Sequence, residues 1–278
     1  MSLAVKKDAS PQSPLSVVEP SIPAIEMLST EKVYSNGTRA LRPVDLTINQ
    51  GEFVTLLGPS GCGKSTLLKM VAGLEDATDG KLLLWRKPVD KLADQNRSLS
   101  FVFQEASLMV WSTVRKNVRL ALDLEGIKGK EAEDRVDHAL ALVGLTKFAD
   151  ALPKELSGGM QMRVSIARGL VVNPDLLLMD EPFGALDEIT RFKLDSELLE
   201  LWRQNGLTVV FVTHSILEAV FLSQRVIVMA ARPGRIVEEV VIDEPFPRSQ
   251  DFRLSAKFSE YAMHLHKSLT DASVEEDI

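Results

Sequence analysis

The spacing of apolar and polar positions changes several times along the chain, and each change marks an element. Short β-rich stretches at residues 32–34, 44–48 and 53–57, bounded by glycine or asparagine, read as strands opening a sheet. Residues 58–63 break that pattern and residues 64–72 resume at helical spacing, so a strand, a glycine loop and a helix follow in order. Residues 81–85 and 99–104 predict two further strands. Between residues 113 and 143 a charged, alanine- and leucine-rich pattern predicts two or three helices, broken at Gly126 and Gly129.

The second half alternates more regularly. A helical stretch opened by Ser157 runs to about Asn173, an apolar run at 176–179 ends in acids, a helix spans about 188–204, and a strand covers 208–213. Strand and helix in alternation predict an α/β domain with a parallel sheet covered on both faces. Strands at 225–229 and 235–241 flank the turn Arg232-Pro233-Gly234, and Leu254, Phe258, Tyr261, Leu265 and Leu269 then fall at helical spacing. That stripe predicts a terminal helix packed on the body. Residues 1–25, with Pro11, Pro14, Pro20 and Pro23 among serines, read as a flexible lead-in. The resulting division is a lead-in (1–25), a main domain (26–245) with a helical part near 105–170, and a helical tail (246–278).

The candidate chemistry begins at Gly58-Pro59-Ser60-Gly61-Cys62-Gly63-Lys64-Ser65-Thr66, which fits the phosphate-loop pattern G-x-x-x-x-G-K-[ST]. Glycines let backbone N–H groups turn inward on phosphates, and the following helix adds the positive end of its dipole. Lys64 is suited to the β- and γ-phosphates and Ser65 to a Mg²⁺ ion. Downstream, Leu176-Leu177-Leu178-Met179-Asp180-Glu181 is an apolar strand ending in two acids, at the end of a parallel sheet where ligands bind. Neighbouring strand residues face opposite ways, so Asp180 is expected at the metal and Glu181 at the attacking water.

Leu156-Ser157-Gly158-Gly159-Met160-Gln161 opens a helix in which Ser157 is a good N-cap and the glycines leave N–H groups accessible. This is a second anion site on one chain. The same six residues resemble the signature sequence of the ATP-binding-cassette (ABC) ATPases. Gln104 resembles the Q-loop glutamine that touches Mg²⁺ and communicates with a membrane subunit. Gly184-Ala185-Leu186-Asp187 is similar to the D-loop, and His214 to the H-loop histidine at the γ-phosphate. Tyr34 stands where the family stacks an aromatic on adenine.

The resemblance spans roughly residues 27–245. It implies a phosphate-loop NTPase fold with a mixed or parallel sheet core, a small antiparallel β subdomain and a helical signature subdomain. It also implies that ATP and Mg²⁺ are held between two cassettes, head to tail, with Ser157, Gly158, Gly159, Gln161 and Asp187 completing the partner's site. The partner cassette is expected to be an identical chain.

Composition narrows the setting. A chain of 278 residues with 45% apolar content can bury a sizeable core. Its net charge of −7 argues against nucleic acid as a partner. The single cysteine, Cys62, forms no internal disulfide, and neither it nor the four histidines falls at metal-ligand spacing, which fits a reducing compartment. No run approaches the roughly 18 apolar residues of a membrane helix. Lys6 and Lys7 lead into a polar, proline-containing stretch rather than the apolar core of a signal peptide.

The absence of a second cassette or a coiled-coil insertion points to transport, and the absence of a fused membrane domain to separate permease subunits. Residues 107–118 and 212–236 resemble the nitrate/sulfonate/taurine importer ATPases. The expectation is therefore an import ATPase, peripheral on the cytoplasmic face of the cell (inner) membrane and served indirectly by a solute-binding protein. An exporter ATPase or a soluble non-transport switch are the alternatives. Three positions depart from the family: Ser215 where Asp is common, Val110 where Pro is common, and Met162 in place of a polar residue.

Overall fold

A computed structural model describes residues 22–184 and 186–274. The first three strands are β1 (Pro23–Val33), β2 (Arg39–Asn49) and β3 (Phe53–Leu57), followed by α1 (Lys64–Val71). β1 begins before the lead-in was expected to end. Proline is tolerated at the first residue of a strand, where its missing N–H costs least, and Ala24 and Ile25 beyond it are fully buried. Residues 1–21 of the expected lead-in lie outside the described residues.

Next come β4 (Asp79–Leu84), the short β5 (Lys87–Pro88) and β6 (Leu99–Val102). β4 stops before Trp85, because Trp85 and Arg86 adopt left-handed backbone angles that end the strand. β6 likewise stops short of Gln104, which leaves the sheet in the loop that follows. Among the described residues, β2, β1, β4 and β5 form an antiparallel sheet in that order.

The helical part consists of α2 (Val114–Leu124), α3 (Gly129–Leu142) and α4 (Gly158–Leu170). The break between the first two falls at the expected glycines, both of which have positive φ. Then β7 (Leu176–Asp180), α5 (Glu188–Asn205), β8 (Thr208–Thr213), α6 (Ile216–Leu222), β9 (Arg225–Ala230) and β10 (Arg235–Val241) complete a six-stranded sheet ordered β10-β9-β3-β8-β7-β6. Its strands are parallel except for β10, which runs antiparallel to β9. The core is therefore mixed rather than all-parallel. A short turn through Pro233 can return the chain only as an antiparallel neighbour, whereas a parallel one needs a crossover.

Side chains alternate through this sheet. In β8, Val209 and Phe211 pack with the helices on one face, while Val210 and Val212 pack on the other with α1 and the antiparallel sheet. The helix α6 has no counterpart in the sequence reading. Five of its seven residues, Glu218 to Leu222, are buried, so it shows no amphipathic stripe. Ser215 caps it by accepting from the Glu218 N–H at 3.4 Å, a task that Asp performs equally well, which accounts for that departure. Met162 is also accounted for, since it is buried in the helical core.

The tail forms α7 (Gln250–Arg253) and α8 (Ala256–Val274). Phe258 and Leu265 are buried and Tyr261 and Leu269 pack beside them, as the stripe predicts, but Leu254 is 86% exposed. It falls between the two helices, outside the continuous turn that the spacing assumed. Two arginines pin the tail. Buried Arg248 donates to the carbonyls of Val220, Phe221 and Ser223, each at 2.9 Å, capping the end of α6. Arg253 pairs with buried Asp195 at 2.6 Å and lies over the Phe221 ring at 3.5 Å. The tail is thus part of the main body.

Candidate functional site

Parallel pairing is what gathers the motifs. The register aligns Leu57 with Thr213 and Asp180 with Val212, so β3, β7 and β8 end together at one edge of the sheet. The residues that follow these ends are Gly58, Glu181 and His214, which are distant in sequence and adjacent here. This is the carboxyl edge at which α/β sheets open a ligand crevice.

The loop after β3 wraps around its own lysine. Lys64 is buried and its Nζ donates to the carbonyls of Gly58 and Pro59, both at 2.8 Å. Gly61 and Gly63 take φ of 78° and 89°, the left-handed region that glycine enters without penalty. Cys62 is fully buried behind the loop, and burial pushes its thiol pKa up, so it is a small packing residue rather than a reactive one.

The two acids separate as expected, though for a different reason from strand alternation. Asp180 is the last residue of β7 and is 5% exposed, with the Ser65 hydroxyl donating to its Oδ1 at 2.9 Å. Burial raises the Asp180 carboxyl pKa, the Ser65 hydrogen bond opposes the rise, and the neighbouring Glu181 charge adds to it. Glu181 has left the strand at φ 45°, a conformation costing on the order of 1–3 kcal/mol for a residue with a side chain. Its N–H is fixed by the Val212 carbonyl at 3.0 Å. The turn aims its carboxylate at two partners, His214 Nδ1 at 3.0 Å and Lys64 Nζ at 3.9 Å.

Lys64, Ser65 and Glu181 border a cavity of about 670 Å³, within the usual size range of small-molecule sites, whereas Gly58, Pro59, Cys62, Asp180 and His214 do not line it. Its lining includes Tyr34, Ser60, Gly61, Gly63, Lys64, Ser65, Thr66, Gln104 and Glu181. Tyr34 is partly exposed at the rim, where its hydroxyl lies 3.1 Å from Thr66 Oγ1 and donates to Glu75 at 3.2 Å. Lys32 sits 5.4 Å from the Tyr34 ring centre.

The remaining sequence-predicted residues lie elsewhere. Ser157 caps α4 by accepting from the Met160 N–H at 3.3 Å, and it is exposed together with Gly158. Gln161 donates to the Pro153 carbonyl at 2.9 Å, which steadies the approach to that helix. Asp187 caps α5 through the Thr190 N–H at 2.9 Å; these hydrogen bonds from Thr190 hold its carboxyl below the usual range. Ala185 lies outside the described residues. None of Ser157, Gly158, Gly159, Gln161 and Asp187 borders the cavity of its own chain.

Thr38, Arg39, Ala40 and the Arg232-Pro233-Gly234 turn also line the cavity, although sequence reasoning gave them no such place. The turn was legible as a turn, but its docking was not. Gly234 lies flat between the phosphate loop and β2, donating to the Ala40 carbonyl at 3.0 Å. A Cβ there would stand 2.3 Å from the Cys62 carbonyl and 2.6 Å from that of Ala40. Both obstacles are backbone. Gly234→Ala is expected to cost about 1–3 kcal/mol, lowering Tm by roughly 2–12 °C, and to weaken nucleotide binding by shifting the loop. Thermal melts with titration of a fluorescent ATP analogue check this, and an unchanged melt and affinity would refute the close approach.

Residues 41–184 match the family described as ABC transporter. The chain belongs to the ABC transporter ATP-binding family. The cassette is 42% identical over 222 residues to the aliphatic sulfonates import ATP-binding protein of Bacillus cereus, covering 79% of this chain and 86% of that one. It is 46% identical over 218 residues to the taurine import ATP-binding protein of Jannaschia sp., covering 78% and 80%. In three dimensions it is similar to a dimeric ATP-binding cassette in a post-hydrolysis state bound to ADP and Pi, with a TM-score of 0.72 and 34% identity over 80% of this chain and all of that one. The fold is that of the ABC ATPases, and the cassette binds and hydrolyses ATP.

Proposed function

We propose that the cassette powers an importer for a small solute of the nitrate, sulfonate or taurine kind, acting through separate permease subunits at the cytoplasmic face of the membrane. The observation that carries the membrane reading is an exposed apolar pair, Val110 at 64% and Trp111 at 77%, on the loop that follows Gln104. Large apolar groups left in water beside a nucleotide site mark a docking surface. No helix among the described residues is long and apolar enough to cross a membrane. The names of the sulfonate and taurine relatives support import.

In this reading ATP enters the cavity with its base against Tyr34 and its phosphates on the N–H groups of residues 60–66. Lys64, already dehydrated and aimed by two carbonyls, exchanges those partners for phosphate oxygens. Ser65, Asp180 and Gln104 offer hard oxygen donors suited to Mg²⁺, which would supply charge neutralisation at the phosphates. Glu181 orients the attacking water and accepts its proton, while the exposed His214 holds Glu181 through Nδ1. The exposed N-terminus of α4 carries Ser157, Gly158 and Gly159 and serves the ATP of a second, identical cassette, with Gln161 bracing it and Asp187 near the seam. Two cassettes then close on ATP and part after hydrolysis.

The test is an affinity capture of full-length chain carrying Glu181→Gln, with ATP, from detergent-solubilised native membranes. A multi-span permease is the expected catch, and a companion solute-binding protein would specify import. A permease recovered without any binding-protein partner would favour an exporter, and soluble partners alone would favour a switch.

A further inference from the structure

One buried carboxylate outside the nucleotide cavity joins two of the motifs. Glu218, in the first turn of α6, is 4% exposed and uses its two oxygens for different tasks. Oε2 accepts from the Thr213 hydroxyl, and that hydroxyl in turn accepts from the Ser215 N–H at 2.9 Å. Thr213 and Ser215 flank His214, so this pair of bonds clamps the backbone on both sides of the histidine. Oε1 faces Arg191 Nε at 3.4 Å, and Arg191 Nη2 donates to the Leu186 carbonyl at 3.0 Å, one residue before Asp187. Leu186 also lies where a Cβ on Gly159 would meet it at 2.7 Å.

We propose that Glu218, with Thr213 and Arg191, is a positioning unit for ATP hydrolysis, holding His214 and the Leu186–Asp187 loop in one register. The inference rests on the role given to His214 above. Neither Glu218 nor Arg191 borders the cavity, and His214 meets it through Glu181, so their effect on turnover passes through His214 to Glu181 and through the loop. One oxygen of this buried carboxylate accepts from a hydroxyl and the other faces a guanidinium charge, so the two ends are coupled through a single side chain. Through Leu186 the same unit reaches the helix that carries the signature, so the facing of the signature and the setting of the histidine are mechanically tied.

The consequence is a split between turnover and binding. Glu218→Gln removes the charge that faces Arg191 and sets a donor NH2 group against either the Arg191 guanidinium or the Thr213 hydroxyl. Thr213→Val keeps the shape and removes the hydroxyl alone, and Thr213→Ser restores it. Steady-state ATPase of the full chain, with rates expressed per nucleotide-binding molecule, is expected to show kcat lowered about tenfold in Glu218→Gln and Thr213→Val, with KM within about twofold of the parent and recovery in Thr213→Ser. The proposal is overturned by unchanged kcat in Thr213→Val, by a deficit that vanishes once rates are expressed per binding-competent molecule, or by a rise in KM alone.

His214→Ala measured in parallel separates the two levels. If it abolishes turnover while Thr213→Val remains at full rate, the site assignment stands and the positioning unit falls. If His214→Ala itself turns over normally, both fall.

Discussion

Glu181→Gln is expected to lower the ATP turnover rate at least about 100-fold, the usual scale for loss of a positioned general base, while ATP stays bound. Glutamine fills the same volume and still offers an oxygen to His214, so the left-handed turn at residue 181 and the contact across 3.0 Å are not disturbed. What disappears is the charge that, in the proposed mechanism, takes a proton from water. Removing a negative group from beside the phosphates also reduces repulsion of the nucleotide, so affinity should hold or rise. Turnover assays paired with size-exclusion chromatography in ATP would show a slow enzyme that persists as a dimer. Turnover within threefold of the parent would remove Glu181 from the mechanism.

Lys64→Ala attacks the earlier step. The ammonium is buried, with the two loop carbonyls at 2.8 Å, the Cys62 sulfur at 3.7 Å and Glu181 at 3.9 Å around it. Its loss deprives the phosphates of a charge-assisted hydrogen bond of about 1.5–3 kcal/mol, roughly 10- to 100-fold in Kd. The loop is affected as well, since the carbonyls of Gly58 and Pro59 lose the donor that draws them together. Equilibrium titration with a fluorescent ATP analogue measures the shift, and an affinity within twofold of the parent would contradict the part given to Lys64. Arginine is not expected to restore the affinity, because its planar fork does not reproduce the compact point charge of an ammonium.

Much of the architecture could be read from the chain because its signals are local. The glycine pattern ending in Lys64 needs only a strand before it and a helix after it, and both are formed at β3 and α1. The run from Leu176 to Met179 is apolar without alternation, which is how a strand buried on both faces reads. Ser157 is an N-cap in the fold as it is in sequence, because capping is settled within one turn.

What was missed depends on neighbours distant in sequence. The helix α6 is buried on nearly all sides and its seven residues carry no periodic stripe, so its type is set by the sheet and tail around it. Leu254 fits the spacing of a tail helix, yet the chain breaks there and leaves it in water. The split between Asp180 and Glu181 arises from a left-handed turn, held by the Val212 carbonyl across the sheet, rather than from strand alternation.

The sequence by itself determined a nucleotide-binding α/β chain with its phosphate loop, its paired acids and the helix capped by Ser157, since each is encoded by residue types a few positions apart. Only the tertiary structure decided that Gly234 and Ala40 press on the phosphate loop, that Glu181 meets both Lys64 and His214, and that Glu218 ties Thr213 to Arg191. Those meetings depend on parallel register between strands and on close packing, which bring together residues that no local pattern links.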